Sequence, residues 1–136
     1  MPRIAGVNLL GIVVATLVMW VMGFVFYGVL FSDAWMAGHG WTEASYEGNS
    51  ALWMPAGIII PLILAYGLGW HMKQKNISTP KTAALFGLWL SLLIGVPLMM
   101  YNYVYSPMHS WEVLLIDSGH TVVTFVLGCV VLSFFD

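Results

Sequence analysis

The chain has 136 residues, of which 60% are hydrophobic and only 7% charged, with a net charge of −2. A soluble domain carries about a quarter charged residues, so there is too little polar surface here to coat a globule in water. Four basic residues against six acidic ones also leave no surface for nucleic acid, whose phosphates demand clustered Lys and Arg. The expectation is an all-α integral membrane protein with the lipid bilayer as its main partner. The single cysteine, Cys129, has no second thiol with which to form an internal disulfide.

Four apolar segments approach the ~20 residues that a spanning helix needs. The first runs from about Ile4 to Phe31. Arg3 precedes it, but the apolar run is too long for a secretion-signal core and lacks a small-x-small cleavage site, so it is expected to remain as a helix. Thr16, Trp20, Gly23 and Tyr27 follow one another along one of its faces. An outer loop then covers residues 32–50, "SDAWMAGHGWTEASYEGNS". Its mixture of aromatic, glycine and polar residues predicts a segment on the membrane surface, with a short helix capped by Thr42. Trp35 and Trp41 are expected to anchor it at the interface.

The second helix covers about Ala51 to His71 and carries Gly57, Pro61, Ala65 and Gly69 at four-residue steps. A basic turn, "MKQKNISTPK", leads to the third, about Thr82 to Val104, where Gly87, Ser91 and Gly95 repeat at the same step and Asn102 shares their face. After the link "YSPMHS" comes the fourth, about Ser110 to Phe135, with Asp117, His120, Thr124 and Gly128 in one row. The short links after the second and third helices force helices two to four to run as antiparallel neighbours. Residues 1–136 therefore read as a single four-helix transmembrane domain.

Lipid tails are as apolar as leucine, so helices in a membrane associate through close packing and polar contacts. The small residues Gly23, Gly57, Gly87, Ser91, Gly95, Thr124 and Gly128 are accordingly expected to mark packing faces, towards this bundle or towards a second chain. Pro61 and Pro97 fall inside helices, where each removes a backbone hydrogen bond and favours a kink. Arg3, Lys73, Lys75 and Lys81 all fall on one side if both termini are cytoplasmic, while Asp33, Glu43 and Glu47 fall on the other.

Asp117 is the anomaly. It lies roughly 10 Å along the axis from the outer end of its helix, with His120 near the midplane. An ionised aspartate at a helix centre costs about 2.5–3.5 kcal/mol to insert, a cost that falls when a partner shares its proton or hydrogen-bonds to it. His120, three residues on, is the nearest neighbour on the same face. Tyr27 and Asn102 lie at a similar depth on their own helices. A buried polar cluster of Asp117, His120, Tyr27 and Asn102 is the candidate centre, either as a clamp between helices or as a place to hold a proton or ligand.

Other chemistries have less support. The four histidines are scattered along the chain, so no metal site is expected. Ser118 lies between Asp117 and His120 in sequence but points to another helix face, so no catalytic residues are assigned. No phosphate-binding glycine loop occurs.

Two blocks carry a family resemblance. "GFVFYGVLFSDAWM" (residues 23–36) resembles the signature of a bacterial membrane family catalogued as domain of unknown function 1761. Gly23, Phe26, Tyr27, Phe31, Trp35 and Met36 fill its characteristic places. "NYVYSPMHSWEVLLIDSGH" is similar to the second block, whose last helix opens with an Asn or Asp and a small-Gly pair, here Asp117, Ser118 and Gly119. Family members often have Tyr then His after that glycine. Here His120 and Thr121 stand there, so no histidine role is carried across. The resemblance implies a four-helix bundle in a bacterial membrane and no activity; the expected location is the bacterial inner membrane.

The resulting expectation is a small non-enzymatic accessory or structural subunit, without cofactor, packing as a homo-oligomer or with other membrane subunits. The alternative is proton-coupled transport or small-ligand binding centred on Asp117 and His120. A second alternative is a pigment or cofactor held by His120.

Overall fold

The computed structural model describes residues 1–135. Before the first helix, strands β1 (Arg3–Ile4) and β2 (Val7–Asn8) pair antiparallel, Arg3 opposite Asn8 and Ile4 opposite Val7. The two residues between them, Ala5 and Gly6, both have positive φ (48° and 86°), as a primed hairpin turn requires. The first helix thus begins at Leu9, later than the apolar pattern predicts. Asn8 is its cap: the side-chain oxygen accepts from the backbone N–H groups of Leu10 and Gly11.

Among the described residues, four helices are long and apolar enough to cross a membrane: Leu9–Leu30, Trp53–Gln74, Pro80–Tyr105 and Trp111–Ser133. At 1.5 Å per residue, their 22 to 26 residues extend roughly 33–39 Å, enough for a hydrocarbon core of about 30 Å. This is the architecture of a multi-pass membrane protein. Within the first span, α1 (Leu9–Phe24) loosens into a π-helical turn at Val25–Leu30, and the separate helix α2 (Ser32–His39) follows. In the second, α3 (Trp53–Ala56) and α4 (Ile59–Gln74) are separated at Gly57–Ile58. Pro61 accounts for the break, since it has no N–H to offer the carbonyl four residues back, that of Gly57.

The third span consists of α5 (Pro80–Leu90), a π-turn at Ser91–Gly95, and α6 (Val96–Tyr105). Pro97 explains the widened turn in the same way, its ring crowding the carbonyl of Leu93. Thr79 caps α5, with Pro80 in its first turn. The fourth span, α7 (Trp111–Ser133), is uninterrupted and capped by Ser110, whose Oγ accepts from Val113 N.

Helix α7 is the hub, packing against α1, α2, α4, α5 and α6. Small residues let it do so on several sides at once. A Cβ on Gly87 would stand 2.6 Å from the carbonyl oxygen of Phe125, and one on Gly128 would stand 2.7 Å from Met19 Sδ. Ser91 is fully buried, and a Cβ on Gly95 would run into Thr121. The row Gly87, Ser91, Gly95 therefore faces α7 and admits a close backbone approach. Gly57 departs from the expected pattern: it lies at the α3–α4 break, and a Cβ there would meet only its own helix's carbonyls. The apolar core lies between α1, α4, α5 and α7 and includes Ile12, Ala15, Met19, Ala65, Leu68, Met72, Ala83, Cys129 and Leu132.

Both ends of the chain meet at one end of the bundle. Asn8 Nδ2 donates to the carbonyl of Phe135 at 3.2 Å, and Val7 packs on Gly69 of α4. Antiparallel threading brings Arg3 and the basic turn with Lys73, Lys75 and Lys81 to that same end.

Candidate functional site

The opposite end of the bundle holds the polar centre. The π-turn at Val25–Leu30 holds an extra residue relative to α-helix, and Phe31 leaves helical geometry (φ −125°, ψ 16°). Together they turn α2 onto the head of α7. Gly38 makes that contact possible, because a Cβ there would overlap the side chains of Val113 and Ser110. The segment 32–50 thus opens with an eight-residue helix docked on the bundle, followed by a 3₁₀ turn at Glu43–Tyr46 that Thr42 and Ser45 cap reciprocally.

This docking brings two donors to Asp117. Asp117 is only 9% exposed. Tyr27 Oη donates to its Oδ1 at 2.7 Å, and Trp35 Nε1 donates to the same oxygen at 3.1 Å. Hydrogen bonds to a charged group are among the stronger ones available, and they offset part of the cost of placing a carboxylate inside the bilayer. The two donor rings also pack on each other, with centroids 5.0 Å apart. Trp35 is thus a ligand of the buried charge. Reading it as an interface anchor followed the belt of aromatic residues and could not foresee the turn that carries it inward.

His120 is close to this pair without being bonded to Asp117. Its ring packs edge-on against Phe26 at 5.4 Å and Tyr27 at 4.9 Å. Its Nε2 shares a hydrogen bond of 3.2 Å with Thr124 Oγ1 and lies over Gly23. Three-residue spacing made His120 the expected partner of Asp117. Instead Tyr27 takes that place, with its hydroxyl on the carboxylate and its ring against the imidazole.

Asn102 lies further out, exposed on α6, and makes no side-chain hydrogen bond to Asp117. It lines a pocket of about 50 Å³ between α2, α6 and α7, whose wall also includes Asp117, His39, Tyr103, Ser106 and Ser110. His39 is stacked on Trp41, centroids 4.1 Å apart, and its buried Nε2 has no hydrogen-bond partner. The site therefore has two parts: a carboxylate gripped from one side by Tyr27 and Trp35, and an outward pocket beyond it. Inward of His120 and Thr124 the polar row ends. Gly128, Cys129 and Leu132 belong to tight apolar packing with Met19, Leu68 and Met72.

Set against known proteins, a family model described as a protein of unknown function, DUF1761, matches residues 10–133. Nothing among curated proteins or solved structures matches.

Proposed function

We propose, for a chain that belongs to the DUF1761 family of proteins of unknown function, a non-enzymatic membrane protein that binds a proton or small ligand at Asp117. The observation that carries this reading is the arrangement of the carboxylate. One oxygen is fixed by Tyr27 and Trp35, while the residue also lines a pocket at the outer end. A purely structural clamp has no use for the pocket. The polar row ends against apolar packing inward of Thr124, which favours binding from one side over conduction through the bundle.

Infrared spectroscopy of the protein in lipid nanodiscs tests this reading. A carboxyl band that responds to bulk pH should vanish in Asp117→Asn and shift in Tyr27→Phe. An unchanged spectrum in Asp117→Asn, with only a loss of thermal stability, would reduce Asp117 to a clamp.

A second reading, an accessory subunit in a larger assembly or homo-oligomer, has its support in the architecture. Four spans joined by short connections leave no separate soluble domain among the described residues. Most of the small-residue faces are used within the bundle, so a partner would have to pack on the remaining apolar faces. Isolation from native membranes in mild detergent should then yield a stoichiometric partner or a defined oligomer, and a monodisperse single copy would sink this reading. For location we propose the bacterial inner membrane with both termini cytoplasmic, supported by the gathering of all four basic residues at one end.

A further inference from the structure

We infer that the outer pocket binds one small monovalent cation, an alkali ion or ammonium, through the second carboxylate oxygen of Asp117. This rests on the reading of Asp117 as a binding centre and names its ligand. Both donors, Tyr27 and Trp35, converge on Oδ1. They fix the plane of the carboxylate and leave Oδ2 without a hydrogen bond among the described residues. The remaining lining side chains are neutral apart from the histidine, and neither Lys nor Arg reaches the wall. A buried carboxylate facing such a pocket attracts positive charge.

Ligand chemistry narrows the class. The cavity of about 50 Å³ exceeds the roughly 10–15 Å³ that one water needs, so an ion can enter it with part of its hydration shell. Calcium requires six to eight oxygens, commonly from several carboxylates, and no group of three or more His, Cys, Asp or Glu residues able to hold a metal occurs among the described residues. One carboxylate with neutral oxygens around it matches a single positive charge. Asn102 supplies an amide oxygen and Ser106 and Ser110 supply hydroxyls.

The test is a titration of the purified full-length protein in nanodiscs with sodium, potassium or ammonium chloride, choline chloride holding the ionic strength constant. Apparent unfolding temperature is the readout. At least one of the three small ions should stabilise saturably where choline does not. Asp117→Asn should abolish the saturation; its amide oxygen can still accept from Tyr27 and Trp35, so the fold is expected to survive. Asn102→Ala, at an exposed position, should weaken the apparent affinity about tenfold, as loss of a hydrogen bond to a charged group would, with the unfolding temperature in choline unchanged. The inference is overturned if no small ion differs from choline, or if saturation persists in Asp117→Asn. The infrared measurement separates the two levels. A carboxyl band that follows pH without any ion saturation defeats the cation alone, and absence of both defeats the binding reading with it.

Discussion

One carboxylate oxygen receives both Tyr27 and Trp35, and that sharing has an energetic signature. Removing either donor should cost about 1–3 kcal/mol, the range for a hydrogen bond to a charged acceptor. The other donor can shift to recover part of the loss, so Tyr27→Phe and Trp35→Phe should combine non-additively. A double-mutant cycle measured by unfolding in mixed detergent checks this, and strict additivity would mean that the two bonds act independently. Asp117 was legible in the sequence because a charge in an apolar helix stands out without any structure. Tyr27 was legible too, since it ends a row of small and polar residues on the first helix. Trp35 was not. Its route to Asp117 depends on the π-turn and the bend at Phe31, which leave no pattern in side-chain periodicity. For His120, spacing gave the neighbourhood but not the bond: its ring packs on Tyr27 while its hydrogen bond goes to Thr124.

Among the helices, glycine decides how close α7 lies to its neighbours. Gly87→Ala would place a methyl group against the backbone of Phe125 and Val126, which cannot move aside as a side chain can. Separating α5 from α7 should then cost on the order of 1–3 kcal/mol, the range for overpacking. Gly67 in α4 is the matched control, because a Cβ there meets nothing within 4 Å. Gly67→Ala should be neutral or stabilise by up to about 1 kcal/mol through helix propensity. Thermal unfolding of the two variants side by side decides it, and equal effects would dissociate glycine from α5–α7 packing. The four-residue steps in the third and fourth spans revealed these faces directly from sequence. The same step failed at Gly57 because Pro61 interrupts the helix there and turns the residue out of the row.

For the molecule as a whole, the number and order of the spans follow from apolar length, and the structure shifts their ends by a few residues at most except at the N-terminus. There the hairpin at Arg3–Asn8 takes residues that hydropathy assigned to the helix. Orientation is open to direct measurement because Cys129 is fully buried and should not react. In that background Glu47→Cys should be labelled by a membrane-impermeant maleimide from outside intact cells, and Lys75→Cys only after permeabilisation. The opposite pattern would invert the proposed topology and place the Asp117 pocket on the cytoplasmic side.

The helix on which the others lean, α7, is also the last of the four to leave the ribosome. Helix α5 packs chiefly on α7, and Tyr27 and Trp35 meet their acceptor only once residue 117 has been made. Until then Tyr27 and Trp35 lack their acceptor, and the face of Gly87, Ser91 and Gly95 lacks the helix it packs on. Chains released before residue 107 should therefore be digested readily by proteases, and supplying the final span as a separate peptide should restore resistance. The bundle is set up to close from its tail, which makes the arrival of the fourth span the step that quality-control proteases would monitor.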